Sequence, residues 1–309
     1  MRPRPLVIRG MFGLGDNIMQ RPFVRAAYVR NEVVYLQTPW PELYADMPRL
    51  RFVRSQTRLR TQAKNERASR VRWHLAPSGR VVRFAYGAAS LSGGASIQEC
   101  LESRLPLGDQ PFIWDLPTVG RVPRLDTGGR PIALIRPVTE RAEWHNAARS
   151  PRPEYVNQIA ARLMDTHYVV AVADLEPGKE WLVGDMPLCD RAFVKGELST
   201  MDVLALMRVA DVTVGGVGWI VPAALAMRRR AFIVLGGNGG HNAPEVIVDR
   251  RADSSRLGFA MPDAFCRCAE KQHDCDKVIA DPLEQFGRWA AAQGVSQCSS
   301  PSSPVTAPA

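Results

Sequence analysis

Short apolar segments alternate with amphipathic ones along the chain, and this alternation constrains the fold more than any other feature. Residues 5–9 and 32–36 are typical of strands, and a helical pattern lies between them at about 17–30. The pattern stops at 119–131, a stretch rich in Gly, Pro and Arg, and restarts with an apolar segment at 132–135. Alternating strands and helices predict an α/β fold of parallel sheets covered by helices.

The break in the middle of the chain divides the predicted fold into two halves. We predict an N-terminal domain at 1–120, a linker at 121–131, a C-terminal domain at 132–294 and a disordered tail at 295–309, where most residues are small or polar. A chain of 309 residues can supply two domains with a core each. Two such domains place a ligand cleft between them, at the carboxyl ends of their strands.

The composition is that of a globular protein, with 46% hydrophobic and 23% charged residues. The N-terminal segment lacks the apolar stretch and cleavage site of a secretory signal. No window approaches the roughly 18 uninterrupted apolar residues of a membrane-spanning helix. We therefore expect a cytoplasmic protein without a transmembrane segment, in which the six cysteines do not form a disulfide framework.

Basic residues are concentrated in the first half. The net charge is +9, and between positions 49 and 83 eleven basic residues accompany one acid, Glu66. The basic residues are Arg49, Arg51, Arg54, Arg58, Arg60, Lys64, Arg67, Arg70, Arg72, Arg80 and Arg83. This basic tract is either a solvated surface or a docking surface for an anionic partner. Nucleic acid, a phosphorylated glycolipid and an acidic membrane surface all fit the second interpretation.

A glycine-rich turn at 10–15 follows the first predicted strand, and Asp16 stands where the next helix begins. Backbone N–H groups at such a rim can face a ligand, but the Asp16 carboxylate would repel a phosphate there. One interpretation is that Asp16 caps the helix. The other is that it belongs to a catalytic site.

The first strand is followed by the motif G-x-G-D-x5-P, in which Gly15-Asp16 stands ahead of Pro22. This arrangement resembles the opening motif of glycosyltransferase family 9, the ADP-heptose:lipopolysaccharide heptosyltransferase group. This chain has one more residue between Arg9 and Asp16 than the commonest family spacing. The resemblance implies a GT-B fold, with two Rossmann-like domains facing a central cleft. It also implies that Asp16 deprotonates the acceptor hydroxyl. The predicted acceptor-binding residues beside it are Gly13, Gly15 and Asn17.

The second half also resembles the family, at residues 196–215 and 222–236. Where the family has Asp-Ser-Gly and a following His for the donor diphosphate, this chain has Val217-Gly218-Trp219 and Pro222. The charged and hydroxyl donor contacts are therefore missing. A glycine loop ahead of a helix still offers backbone N–H groups to a phosphate, and the glycines in question are Gly215, Gly216 and Gly218.

Two further loops supply predicted donor-binding residues. The loop at 236–245 follows a strand and contains four glycines, so it is either a ligand loop or an ordinary long turn. The segment at 136–144 stands where the family has a Lys-x-Trp-type loop, and its arginines are candidate diphosphate clamps. Glu176 is a candidate for the ribose hydroxyls. Together with the three glycines of the first loop, the predicted donor-binding residues are therefore Arg136, Thr139, Arg141, Glu176, Gly239, Gly240, His241 and Asn242.

Three cysteines and one histidine lie within ten residues near the C-terminus: Cys266, Cys268, His273 and Cys275. Three thiolates and an imidazole can form a tetrahedral zinc site. Such a site is structural, because the protein fills all four positions. The alternative is a set of reduced cysteines on a loop.

Together these features predict an inverting sugar transfer from a nucleotide-sugar donor, with no cofactor required for the chemistry. The basic tract predicts an anionic acceptor, such as lipopolysaccharide core or another phosphorylated glycan or glycolipid, with peripheral membrane contact. DNA with hydroxymethylated bases is an alternative acceptor that requires base flipping. A different class is a non-catalytic GT-B-fold binding protein that has lost its donor site.

Overall fold

The computed structural model describes residues 4–30, 32–91 and 93–295. The strands are β1 (Leu6–Arg9), β2 (Val34–Gln37), β3 (Arg51–Val53), β4 (Arg80–Arg83), β5 (Ile132–Arg136), β6 (Thr139–Arg141), β7 (Tyr168–Val172), β8 (Glu180–Leu182), β9 (Arg191–Phe193), β10 (Val212–Gly216), β11 (Ala231–Val234) and β12 (Leu257–Ala260). The helices are α1 (Leu14–Val29), α2 (Arg60–Ala68), α3 (Ala88–Leu91), α4 (Ile97–Glu102), α5 (Pro153–Leu163), α6 (Thr200–Val209), α7 (Ile220–Met227), α8 (Gly239–Asn242), α9 (Pro244–Ile247) and α10 (Pro282–Gln293). Residues 296–309 of the predicted tail lie outside the described residues.

Two parallel sheets organise the fold. The first has four strands in the order β3-β2-β1-β4, and the second has six in the order β12-β11-β10-β5-β7-β9. A short antiparallel pair, β6 and β8, lies outside both sheets. The predicted α/β class is confirmed. All strands of the first sheet precede residue 120 and all strands of the second follow residue 131, while the exact domain boundaries stay a prediction.

Local sequence accounts for the elements of the second half. The central strands are continuous apolar segments, and β7 and β11 are buried over most or all of their length, as strands covered on both faces must be. Helix α6 begins at a capping box. The Ser199 hydroxyl accepts the Asp202 N–H over 3.1 Å, and the Asp202 carboxylate accepts the Ser199 N–H over 3.2 Å.

The two halves pack directly against each other. Helix α1 lies on α7, and a Cβ placed at Gly15 would be 3.3 Å from both Trp219 Cα and Pro222 Cγ. A side chain here would have to push these neighbours aside by a few tenths of an ångström, because the two helices approach so closely. Apolar burial continues across this contact, since Ile18 and Val221 belong to the same buried cluster. The carboxyl ends of β1 and β10 therefore face one cleft.

Candidate active site

Asp16 lies in the first turn of α1, at the carboxyl end of β1, and its side chain is half-buried. The Tyr86 hydroxyl donates to Asp16 Oδ1 over 2.9 Å. The Gly13 N–H also donates to the Asp16 carboxylate. Asp16 thus contacts the backbone at the start of its helix, as a capping residue does, while its carboxylate also faces a tyrosine from the loop after β4.

Burial raises the pKa of Asp16, and this effect outweighs three opposing ones: the Tyr86 hydrogen bond, the positive charge of Arg149 and the Gly13 N–H. Burial also raises the pKa of Tyr86, and the nearby Asp16 carboxylate raises it further. Burial lowers the pKa of the Arg149 guanidinium, while Tyr86 and Asp16 oppose that shift. These three groups form an electrostatically coupled cluster that joins the two halves.

The predicted acceptor-binding residues surround Asp16. Asn17 is fully buried, and its amide nitrogen donates to the carbonyl oxygens of Met11 and Gly13 over 2.6 and 2.9 Å. Its Oδ1 accepts from Thr38 Oγ1 over 2.6 Å and from Gln20 Nε2 over 2.9 Å. These bonds make Asn17 a support of the glycine turn. Gly13 precedes α1 as its N-cap residue, and Gly15 lies on the α7 side of the helix.

A second charged cluster surrounds Glu180, which is fully buried. Its Oε1 accepts from Arg136 over 2.8 Å and from Thr139 Oγ1 over 3.0 Å, and its Oε2 pairs with Arg141 Nε at 2.8 Å. Arg136 also donates to Thr139 Oγ1 over 2.8 Å and to the Val172 carbonyl over 3.4 Å. Three predicted donor-binding residues thus meet on one carboxylate that the sequence did not single out.

The Arg149 guanidinium reaches the glycine turn at 215–218. A Cβ placed at Gly218 would be 3.6 Å from Arg149 Nη2, and one placed at Gly215 would be 2.8 Å from Arg136 Cβ. A Cβ placed at Gly216 would be 3.3 Å from Cδ of Pro151, which lies in the same loop as Arg149. Within the described part of the chain, no carboxylate lies at ion-pair distance from Arg149. A partly buried, unpaired guanidinium beside a glycine turn is suited to an anion.

The second glycine loop lies against the cysteine segment. The Gly239 N–H donates to the Cys266 carbonyl over 2.8 Å, and the Gly240 N–H donates to the Cys268 carbonyl over 2.9 Å. Asn242 Nδ2 donates to Asn238 Oδ1 over 2.8 Å. These predicted donor groups are therefore engaged with the protein itself. His241, at the same loop, is partly exposed, and burial together with Lys271 lowers its pKa.

The three cysteines and the histidine near the C-terminus come together. Their ligand atoms, from Cys266, Cys268, His273 and Cys275, all lie within 4.8 Å of one another. Cys268 Sγ is 3.5 Å from Cys275 Sγ, and His273 Nδ1 is 3.3 Å from Cys275 Sγ and 3.5 Å from Cys266 Sγ. A tetrahedral zinc site has edges of about 3.8 Å between sulfurs and about 3.6 Å between sulfur and nitrogen. The donor set therefore fits a tetrahedral metal ion.

Sequence reasoning missed Tyr86, Arg149 and Glu180. Tyr86 follows a strand, Arg149 lies in the loop before α5, and Glu180 starts β8. Only Tyr86 could have been predicted, from its position three residues after the end of β4. Side chains that follow parallel strands gather at one edge of the sheet, where Asp16 also lies. Glu176, which was predicted, pairs with Arg60 Nη1 at 3.0 Å and with Lys179.

Among the described residues, no helix has both the length and the apolar character that crossing a bilayer requires. The sequence matches no protein-family model and no curated protein. Its structure, however, is similar to solved glycosyltransferases.

The dodecameric iron-containing heptosyltransferase TibC, solved in complex with ADP-D-beta-D-heptose, superposes with a TM-score of 0.61 and 16% identity, over 95% of this chain and 78% of that one. TibC from enterotoxigenic E. coli H10407 has a TM-score of 0.51 and 17% identity over 76% of this chain, and the match spans 58% of the TibC chain. ADP-heptose lps heptosyltransferase II of E. coli has a TM-score of 0.54 and 14% identity, over 94% and 99% of the two chains. The chain thus has the GT-B fold of the family 9 heptosyltransferases, as the Gly15-Asp16 motif led us to expect.

Proposed function

We propose that the protein is an inverting glycosyltransferase that moves a sugar from a nucleotide-sugar donor to a hydroxyl of an anionic acceptor. The observation that carries this proposal is the Asp16 carboxylate, half-buried in the cleft with a raised pKa and facing Arg149 of the other half. A raised pKa makes a carboxylate a stronger base, which is what proton abstraction from a hydroxyl requires.

In the proposed reaction the acceptor oxygen attacks the anomeric carbon while Asp16 takes the hydroxyl proton. The bond from that carbon to the diphosphate oxygen breaks on the opposite side, so the configuration inverts. The Tyr86 hydrogen bond orients the carboxylate. The leaving diphosphate carries the developing negative charge, and a guanidinium held in place before the reaction stabilises that charge most effectively.

For the donor we propose a site built from Arg141, Arg149 and the glycine turn at 215–218. Arg136 serves mainly to hold Glu180, given its bonds to that carboxylate and to two neighbouring groups. We leave the N–H groups of Gly239 and Gly240 out of this site because they already donate to carbonyls of the cysteine segment. The ADP-D-beta-D-heptose bound to TibC makes an ADP-linked heptose the first donor to test.

The acceptor we propose is a phosphorylated glycan or glycolipid. Ten of the eleven residues in the basic tract are exposed, which supports recognition of an anion by the first half. The test is transfer from a panel of nucleotide-sugars to lipopolysaccharide core, with duplex DNA containing hydroxymethylated bases as a second acceptor. Product with DNA alone would reverse our choice of acceptor.

The matched variants for that assay are Asp16→Asn and Asp165→Asn. Loss of a general base typically lowers the rate by about 10²–10⁴-fold. Asp165 is exposed in the turn after α5, and its one ion pair among the described residues is with Arg162, so the control should keep wild-type activity. Full activity in Asp16→Asn would refute the assignment of the base.

A non-catalytic binding protein is a second candidate, and specific observations favour it. Val217 and Pro222 replace the donor contacts of the family, and the second glycine loop is engaged with the cysteine segment. Thermal-shift measurements with ADP, UDP and GDP separate the two candidates. A bound ligand stabilises the folded state by mass action, so stabilisation by none of the three would favour the binding protein.

We also propose that the Cys/His cluster holds a structural metal ion. Zinc is our first choice, and the iron named for TibC makes iron the alternative, because both metals accept thiolate-rich tetrahedral sites. Metal analysis of purified Cys268→Ser protein tests this, with Cys189→Ser as the control outside the cluster. An equal metal content in the two variants would exclude the site.

A further inference from the structure

Arg60 is the exception within the basic tract. The other ten basic residues are exposed, whereas the Arg60 side chain is only 17% exposed. It is the first residue of α2, and its own N–H donates to the Glu143 carboxylate of the second half over 2.9 Å. The start of this helix is therefore attached to the opposite side of the cleft.

The Arg60 guanidinium enters a pocket of three acids from the second half. Its Nη1 lies 3.2 Å from Asp174 Oδ2 and 3.0 Å from Glu176 Oε2, and its Nη2 lies 3.2 Å from Glu180 Oε2. The Asp174 carbonyl accepts a further bond from Nη2. Lys64, one helical turn later, lies 4.0 Å from Asp174 Oδ1. One face of α2 is thus bound electrostatically to the second half.

This acidic pocket lies at the carboxyl edge of the second sheet, next to the end of β7. Asp174 and Glu176 follow the carboxyl end of β7, and nucleotides bind at the carboxyl ends of parallel strands. Glu180 also holds Arg136 and Arg141. Carboxylates can accept hydrogen bonds from ribose hydroxyls. A carboxylate lone pair that already accepts from an arginine cannot accept from a ribose hydroxyl at the same time.

We propose that Arg60 is a gate for the donor site: its guanidinium occupies the acidic pocket of Asp174, Glu176 and Glu180, and a nucleoside diphosphate binds by displacing it. This inference rests on the proposed function, since it names what competes for that site. Displacement releases the α2 face that carries Arg60 and Lys64. The two freed cations then face the cleft and are available to an anionic acceptor, so the donor binds before the acceptor.

A closed gate weakens the apparent affinity for the nucleotide, because only the fraction of molecules with the pocket open can bind. Arg60→Gln removes the competing charge and should tighten ADP binding about tenfold, corresponding to a pocket that is open in about one molecule in ten. Arg58→Gln is the matched control: it removes the same charge two residues away, and no ion pair of Arg58 exists among the described residues.

Isothermal titration of ADP, UDP and GDP into wild type and both variants is the test. Tighter binding in Arg60→Gln alone supports the gate. Equal or weaker nucleotide binding in Arg60→Gln overturns the gate. The proposed donor site still stands in that case, provided that wild type binds a nucleotide. Binding of no nucleotide to any of the three proteins overturns both the gate and the proposed donor site, so the two failures are distinguishable.

Hydrogen exchange of wild type supplies a measurement that does not depend on the variant folding. Under the gate, saturating nucleotide accelerates amide exchange in residues 60–68, because displacement detaches α2 from the second half. Slower exchange in this segment on nucleotide binding would mean that Arg60 closes onto the donor, and the gate would be refuted.

Discussion

Alanine at Gly237 is predicted to expel the metal ion that we propose for the Cys/His cluster. A Cβ at this position would lie 2.3 Å from Cys275 Sγ, 2.4 Å from Cys275 Cβ and 3.1 Å from the Ala148 carbonyl oxygen. The Gly237 N–H donates to that same carbonyl over 2.7 Å, so the backbone of the loop is held in place. Cys275 must therefore retreat by about 1 Å to restore ordinary van der Waals contact.

A displacement of this size exceeds what the metal site tolerates. Metal–ligand distances in proteins hold to within about 0.2 Å, so a sulfur that moves about 1 Å no longer binds the ion. Forcing an extra carbon into a packed site also costs about 1–3 kcal/mol in the free energy of unfolding. Gly287→Ala is the matched control. It lies within α10, where a Cβ meets nothing within 4 Å, and alanine there should stabilise the helix by about 0.5–1 kcal/mol.

The assay is metal content per chain, measured together with thermal unfolding before and after treatment with a chelator. Wild type and Gly287→Ala should retain the metal and lose stability on chelation. Gly237→Ala should be purified with little metal, unfold at a lower temperature and respond little to the chelator. A Gly237→Ala protein with wild-type metal content and unfolding temperature would show that Cys275 does not pack on this glycine.

Two predictions concern the pH dependence of the Asp16 cluster. In Tyr86→Phe, the rising limb of the pH–rate profile for sugar transfer should move to higher pH, because the lost hydrogen bond was lowering the pKa of Asp16; an unmoved limb would remove Tyr86 from the site. Asp16→Asn should be more stable than wild type at neutral pH, because burial disfavours the ionised carboxylate. Since the folded-state pKa lies above the ordinary aspartate value of 3.8, this advantage should shrink as the pH falls through the folded-state pKa and disappear below 3.8. Denaturant unfolding at several pH values measures it, and a constant stability difference would contradict the burial of the charge.

The parts of the fold that local sequence determines were predictable. The strand predicted at 32–36 lies at Val34–Gln37, because its apolar residues Val34 and Leu36 are buried while its backbone pairs with β1 and β3. The Cys/His cluster was predictable for a similar reason: its four ligands lie within ten residues, so a single loop brings them together. In the cluster, the residues that form the contacts are close neighbours along the chain.

The convergence of distant loops was not predictable. Tyr86 is 70 residues from Asp16, and their contact depends on the pairing of β1 with β4. Arg60 is 120 residues from Glu180, and that contact depends on how the two halves dock. No periodicity or local motif encodes that docking. The second glycine loop was hard to interpret for a different reason. Its glycines permit close approach to a ligand, but they equally permit close approach to another segment of the protein. Here Gly237 approaches Cys275.

In the proposed mechanism, the Asp16 cluster couples donor binding to the strength of the base. Burial disfavours the charged forms of both Asp16 and Arg149, and each charge partly offsets the cost of the other. A diphosphate bound to Arg149 would stabilise the guanidinium and bring negative charge towards Asp16. Nearby negative charge raises the pKa of a carboxylate, so Asp16 becomes a stronger base when the leaving group is in place. In the proposed mechanism, the negative charge of the donor therefore favours proton abstraction from the acceptor only when the donor is bound.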